Sequence, residues 1–425
     1  MTLEGASVLV VGAGYSGKRR VFERLAGLGV RAVVVDEPDH WSESLVADGL
    51  ADTWISASVT GDADADAASV LAALRHDRIR VDGVATYWED SVSVAARVAA
   101  ALGLPGNSPQ SVDAARSKVR MREVSAELGL PTPMAQRVRS LDELYAAAAQ
   151  IGFPAVVKPE FGASAMGCVR VDSFESLPHV YRLVRDVVRP ETDGIFRAGN
   201  DLLLEEYLDG VEFDVDLVMN DGACLFSSVS QNWPTAEPSL QETGLHCPPT
   251  HSRRAVRGLV DLSIQTARAF GLARGVLHIE GKCTSGGPRI VEVNTRMGGG
   301  RIHQIVEAVW GVDLIEAQLR SSLDLPSTLA PSRRPRCAVV NAIVHAPATG
   351  RLEALPLGAS ADGAHLVAVD VQADIGQEVA GPDRTFATPL AEVTIGAKNL
   401  RSARALCDDI LREPPVVATP AATPR

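Results

Sequence analysis

Residues 275–301, GVLHIEGKCTSGGPRIVEVNTRMGGGR, constrain the fold of this chain more tightly than any other stretch. GVLHIE and RIVEVN each read as a strand, and the turn formers CTSGGP between them predict a β-hairpin. Strand side chains alternate between faces, so Glu292 and Asn294 point one way while Val291 and Val293 point the other. Counting back across the turn places Glu280 opposite Glu292. Two carboxylates in contact raise each other's pKa unless a cation lies between them. An all-oxygen set without His or Cys suits Mg²⁺, which takes a few carboxylates and completes its shell with water and substrate phosphates. Glu280, Glu292 and Asn294 are therefore the candidate metal ligands, with Arg296 and Gly298–Gly300 following directly.

The composition narrows the classes. A chain of 425 residues supports two or three domains with sizeable cores. Asp plus Glu outnumber Lys plus Arg by 53 to 41, a net charge of −12, and no basic cluster offers a phosphate-backbone footprint, so nucleic acid is not expected as a partner. The six cysteines are scattered without a CxxC, which fits free thiols in a reducing, cytoplasmic setting. The opening MTLEGASVLVV lacks a cationic n-region, and no apolar run approaches a membrane span.

The N-terminal third alternates strands and helices and predicts a parallel sheet: SVLVV, AVVVD at 32–36, DTWIS at 52–56 and DGVATYW at 82–88, with helices to about Gly27, over 63–76 and over 91–102. Gly12-x-Gly14-x-x-Gly17 followed by Asp36 matches the dinucleotide fingerprint. The overlapping Gly12-x4-Gly17-Lys18 fails as a P-loop because Arg19 stands where Ser or Thr must hold Mg²⁺. We read these glycines as packing devices and as part of a substrate wall.

Glu280 with EVNTR at 292–296 resembles the magnesium hairpin of the ATP-grasp enzymes. MGGGRIHQIVEAVWGVDLIEAQL and the block TYWED…LGLPG resemble the L-amino-acid ligase branch, which includes carnosine synthase and the bacilysin-forming dipeptide ligase. The resemblance implies an α/β fold, α+β in its centre, in three parts. These are a Rossmann-like pre-ATP-grasp domain over 1–112, an ATP-grasp domain over 113–324 with a lid at about 140–210, and a mostly-β domain over 325–412. A disordered tail is expected over 413–425, and 111–129 and 301–322 each read as one helix.

The resemblance also implies ATP, with one or two Mg²⁺ and Mn²⁺ as a substitute, and a carboxylate joined to an amine through an acyl phosphate. Lys118, Lys158 and the loop 160–167, including Ser164, would meet the phosphates. Glu205, Glu206 and Leu208 would meet adenine, and Glu212 the ribose. Glu89, Glu242, His246, Arg296 and Gly299 would hold the substrates, an amino acid or other carboxylate plus an amine, with Arg296 and Lys158 catalytic. The resemblance leaves room for a homodimer. Two alternatives stay open: a carboxyphosphate-forming carboxylase, since EVNTR also resembles biotin carboxylase, and a non-catalytic dinucleotide-binding protein.

Overall fold

The computed structural model describes residues 2–418 apart from 359–361, 383 and 385. The N-terminal sheet has four parallel strands in the order Thr53–Ser56, Arg31–Asp36, Ser7–Val11, Gly83–Ala85. Val8, Val10 and Val34 enter one core and Leu9, Val11, Val33 and Val35 another, so both faces are covered. That double burial is why these strands read as unbroken apolar runs rather than alternating ones.

A second, antiparallel sheet orders Ala135–Val138, Leu202–Glu206, Ala155–Pro159 and Val169–Val171. Ala155, Val157, Leu202 and Leu204 pack into its core with Leu144 of helix Leu141–Ile151 and Val180 of helix Leu177–Val187. The alternate residues, Lys158 and Glu205, therefore project from the opposite face, where they too are buried.

The third sheet has eight strands, in the order Gly287–Asn294, Gly275–Thr284, Val211–Asn220, Ala223–Asn232, Gly244–Cys247, Ala338–His345, Pro389–Ala397, Leu366–Val371. Phe213, Val215, Leu217, Leu277, Ile279 and Val293 bury one face with Leu259 and Leu262 of helix Arg253–Ala269. Each such fully buried large apolar side chain contributes about 1.5–3 kcal/mol relative to exposure. The other face is apolar only at one end, where Val218 and Val276 share a core with Ile305, Val309, Ile315 and Leu319. The rest of that face carries charged and amide groups.

Beyond residue 325, three strands extend the central sheet through Leu245↔Asn341 pairing, and Glu378–Val379, Gly350–Ala354 and Val416–Ala418 form a small three-stranded sheet of their own. Three expectations change. The tail is not wholly disordered, because Val416–Ala418 pair with Gly350–Ala354; residues 419–425 lie outside the described residues. The helix expected over 111–129 breaks at Ser117, whose hydroxyl caps Arg120 N–H at 3.1 Å and starts the helix Lys118–Glu127. The helix expected over 301–322 is two, Ile302–Trp310 and Leu314–Ser322, separated at Gly311 with φ 71°. No described helix is long and apolar enough to cross a membrane.

Candidate active site

Three neighbouring strands bring charged side chains to one face. Glu280 pairs directly with Glu292, His278 with Asn294, Asp216 with His278, Asp214 with Glu280, and Glu212 with Lys282. Paired residues share a face, so this register gathers all of them together. The sequence places Glu280 opposite Glu292, and the register is the same. A bulge follows Glu280, at Gly281, where a Cβ would come within 2.9 Å of Arg289 O.

The carboxylates are not equivalent. Glu280 is held well above the usual carboxylate range, first by burial and then by the Glu292 charge, with His278 opposing. Glu292 shifts down despite its burial, because Lys118 Nζ lies 3.0 Å away and Lys158 and Arg296 add positive field. One pKa raised and one lowered is the imbalance expected of two acids that share a site with a cation beside only one of them. With Asn294 the donors are all oxygen, the set that Mg²⁺ prefers. Among the described residues no group of three or more His, Cys, Asp or Glu forms a self-sufficient metal cage. Two carboxylates and an amide leave the remaining positions to water and phosphate oxygens.

On this same face His278 Nδ1 lies 2.9 Å from Asp216 Oδ1, and Asp214 accepts from Asn232 Nδ2 at 2.9 Å. Burial alone would depress His278, but Asp216 wins and raises its pKa to about 10, so it stays an imidazolium that offsets the acidic face. Alternation from Glu280 could have identified both His278 and Lys282. Lys282 Nζ sits 3.5 Å from Glu212 and donates to the Leu208 carbonyl at 3.4 Å.

The lid supplies the opposing wall. Lys158 Nζ meets Glu205 Oε1 at 2.8 Å, and Glu205 is gripped by Arg122 Nε at 2.7 Å and Nη2 at 3.0 Å. Arg122 also donates to the carbonyls of Ile290 at 3.1 Å and Val291 at 2.8 Å, tying lid to hairpin. Burial opposes ionisation of Glu205, yet Arg122 and Lys158 outweigh it and bring its pKa to about 2; burial lowers that of Lys158. The Glu205 side chain thus organises two cations. Lys118 Nζ donates to Gly162 O at 3.2 Å, which joins the start of its helix to the loop containing Ser164, whose φ is 53°. Glu206 is exposed, its carboxylate accepting from Met134 N–H at 3.3 Å.

At the far end Arg296 Nε pairs with Glu89 Oε2 at 2.8 Å and Nη1 donates to Met297 O at 2.9 Å. Asn294, in the amide orientation its neighbours satisfy, donates to Glu292 Oε1 at 3.2 Å and Glu89 Oε2 at 3.0 Å. Glu242 reaches the same region, its pKa pushed up to about 8 by burial and then by Asp214 and Glu212. Gly299 faces open space.

His246 does not join them. It pairs with Gln231, while the neighbouring pair Asn232↔Leu245 occupies the charged side. Its ring is held on the opposite face by Trp233 Nε1 at 3.3 Å and Thr250 Oγ1 at 3.4 Å. Burial and Arg404 lower its pKa to about 4.

The glycine fingerprint is occupied by the protein itself. Asp36 Oδ2 accepts from Ala13 N–H at 2.7 Å and lies 3.1 Å from His40 Nδ1, so the carboxylate that would take a ribose holds its own loop. Gly14 has φ 71°, and a Cβ there would fall 2.6 Å from the Trp88 ring. The loop therefore packs on the 86–91 segment that carries Glu89.

A charged sheet face roofed by a lysine-bearing antiparallel lid defines an ATP-grasp architecture, and the chain belongs to that family. Residues 151–304 match the ATP-grasp domain model and 22–106 the ATP-grasp N-terminal domain model. Among curated proteins, the chain is 35% identical over 361 residues to carnosine synthase 1 of Gallus gallus, covering 82% of this chain and 38% of that protein. The chain thus spans about two-fifths of that relative's length. Among solved structures, the L-amino acid ligase from Bacillus licheniformis superposes with a TM-score of 0.80 at 20% identity, covering 98% of this chain and 100% of that one. The biotin carboxylase domain of Hydrogenobacter thermophilus 2-oxoglutarate carboxylase gives 0.69 at 18% identity over 97% and 90%. At these identities the two structures show a shared fold.

Proposed function

We propose that the chain is an ATP-dependent carboxylate–amine ligase that forms a dipeptide or related amide through an acyl phosphate. The observation that carries this reading is the opposed pair Glu280–Glu292, facing Lys118 and Lys158 and bordered by the Arg296–Glu89 pair. In this reading Lys118 and Lys158 lie along the phosphates, with Ser164 in the loop that folds over them. Backbone groups of Glu205, Glu206 and Leu208 border the adenine, and Glu212 the ribose hydroxyls. Glu280, Glu292 and Asn294 would hold Mg²⁺, one or two ions with Mn²⁺ as a substitute, which would supply charge neutralisation at the γ-phosphate.

A substrate carboxylate oxygen attacks the γ-phosphorus, the bond to the β–γ bridging oxygen breaks, and ADP leaves with that electron pair. The amine lone pair then attacks the acyl carbon. Phosphate departs, the amine gives up a proton, and the amide remains. Arg296, with its guanidinium fixed beside the metal strand, binds the reacting carboxylate and then the oxyanion at the tetrahedral stage. Because Arg296 is paired with Glu89 before substrate arrives, a zwitterion can replace that pair, its carboxylate on Arg296 and its ammonium on Glu89 and Glu242. Gly299 allows close approach of the substrate backbone.

Carboxyphosphate chemistry would share the ATP half of this site, and the biotin carboxylase likeness is one of fold. The acids Glu89 and Glu242 favour the amino-acid reading, since bicarbonate offers no ammonium. The test is phosphate release from ATP·Mg²⁺ across a panel of paired amino acids, with mass spectrometry of the products. We expect at least one pair to drive release well above background and to give an amide of matching mass. Turnover that depends on bicarbonate and needs no amine would replace this reading with the carboxylase one.

A further inference from the structure

The segment between strands Ala223–Asn232 and Gly244–Cys247 forms a short tongue, and Glu242 lies on it. The base of the tongue is closed by the Ala236↔Gln241 bridge, with Ala236 N–H donating to Gln241 O at 2.8 Å, and Thr243 Oγ1 donates to Pro234 O at 2.9 Å. The buried Gln241 side chain ties that base to the C-terminal segment: its Nε2 donates to Ala387 O at 3.0 Å and its Oε1 accepts from Ala387 N–H at 2.7 Å. Glu242 follows directly, so the way the tongue is held sets where that carboxylate stands.

The tip of the tongue is held from the nucleotide side. Val169–Val171 is the terminal strand of the lid sheet, and its Arg170 N–H donates to Pro238 O at 2.9 Å. An edge strand needs a cover for its open backbone groups, and here the tongue supplies one. Arg170 Nη1 meets Glu237 Oε2 at 2.7 Å, and Tyr207 Oη donates to Glu237 Oε1 at 2.7 Å. The Arg170 guanidinium also lies over the Tyr207 ring, 4.6 Å from its centroid. Tyr207 stands between Glu206 and Leu208, the residues placed above at the adenine. The Glu237 carboxylate thus receives a cation from the lid strand and a hydroxyl from the adenine side. Arg170 keeps a second partner in Asp172 at 2.9 Å, so Glu237 is the residue whose loss removes both links at once. The tongue belongs to the eight-stranded sheet and Arg170 to the lid, so moving the lid away from that sheet breaks these contacts.

We infer that Glu237 couples nucleotide binding to donor binding: with ATP in place the lid strand and Tyr207 hold the tongue, and the tongue holds Glu242 where the donor ammonium arrives. This rests on the ligase reading and makes Glu237 a positioning residue that touches neither substrate. Coupling between two sites is reciprocal, so bound donor tightens nucleotide binding by the same factor. The Arg170–Glu237 pair is partly exposed, which keeps each link weak, and the links acting together on one tip put the coupling at about tenfold.

The experiment follows amide hydrogen exchange over 160–167 and 235–243, with and without the magnesium complex of β,γ-imido-ATP, in the wild type, Glu237→Ala and Glu237→Gln. The nucleotide alone should protect both segments in the wild type. In Glu237→Ala it should protect 160–167 as before, which shows that the variant is folded and binds nucleotide, and leave 235–243 unprotected. Glu237→Gln should fall between the two, because its amide oxygen still accepts from Tyr207. With the amino-acid pair that the phosphate-release panel identifies, Glu237→Ala at saturating ATP·Mg²⁺ should raise the donor KM by the same factor and leave kcat little changed. Protection of 235–243 that is absent in the wild type, or that survives in Glu237→Ala, overturns the inference, and so does an unmoved donor KM. A wild-type protein in which the nucleotide protects neither segment and no pair gives an amide would reject the ligase reading and this inference together, an outcome separate from ligation with an uncoupled tongue.

Discussion

Glu292→Gln is expected to lower ATP turnover by about 1,000-fold, corresponding to roughly 4 kcal/mol of lost transition-state stabilisation. The substitution keeps size and hydrogen bonding while removing the charge that faces both Glu280 and Lys118. Lys118 keeps its bond to Gly162 O, so the lid loop stays attached and the fold should survive, as a cooperative thermal transition would show. The loss should not be recovered at higher ATP, because the missing interaction strengthens as charge develops on the transferring phosphoryl group. Normal turnover of the variant in limiting Mg²⁺ would remove Glu292 from the metal set.

The second large effect concerns stability. Glu205 neutralises Lys158 and Arg122 in a site where all three side chains are about 5% exposed. Glu205→Gln leaves two buried cations sharing an uncharged amide, and breaking a buried ion pair in this way costs about 3–5 kcal/mol. The effect is measurable as a lowered urea midpoint with an unchanged slope. The sign with pH is fixed by the direction of the shift. The folded pKa, about 2, lies below an unfolded value of about 4.3, so the contribution is complete above pH ~4.3 and is lost as pH falls toward 2. Wild-type stability should therefore decline more steeply than that of the variant over this window. Parallel acid profiles for the two proteins would show that the Glu205 charge does not stabilise the fold.

The parts of the site legible in the sequence are those set by local periodicity. Alternation within EVN fixes which side Glu292 and Asn294 share, and a short turn fixes that Glu280 opposes Glu292. Lys158 ends an apolar strand whose alternate residues fill the lid core, so its outward direction follows from Val157. What was not legible depends on long-range pairing. His246 is on the wrong face because Gly244–Cys247 pairs in a register set by the irregular 233–243 segment, and a one-residue slip reverses every side chain. The extension of the central sheet by Ala338–His345, Pro389–Ala397 and Leu366–Val371 joins residues more than ninety positions apart in the Leu245↔Asn341 pairing, beyond any window of periodicity. Arg122, 83 residues from Glu205, shows the same limit: it follows Lys118 by one helical turn, but nothing local to it indicates the carboxylate it grips. The fingerprint glycines, read from the sequence as packing devices, meet a real conformational demand, with φ near 70° at Gly12 and Gly14, through tryptophan packing and Asp36.

The central claim is that ATP activates a carboxylate by phosphoryl transfer, and the fate of oxygen tests it most directly. With an amino-acid donor labelled with ¹⁸O in both carboxylate oxygens, and the acceptor amine present, one labelled oxygen bridges to phosphorus and leaves with it. The account predicts ADP, inorganic phosphate carrying one ¹⁸O, and an amide retaining the other. Phosphate free of label, or AMP and pyrophosphate in place of ADP and phosphate, would contradict it.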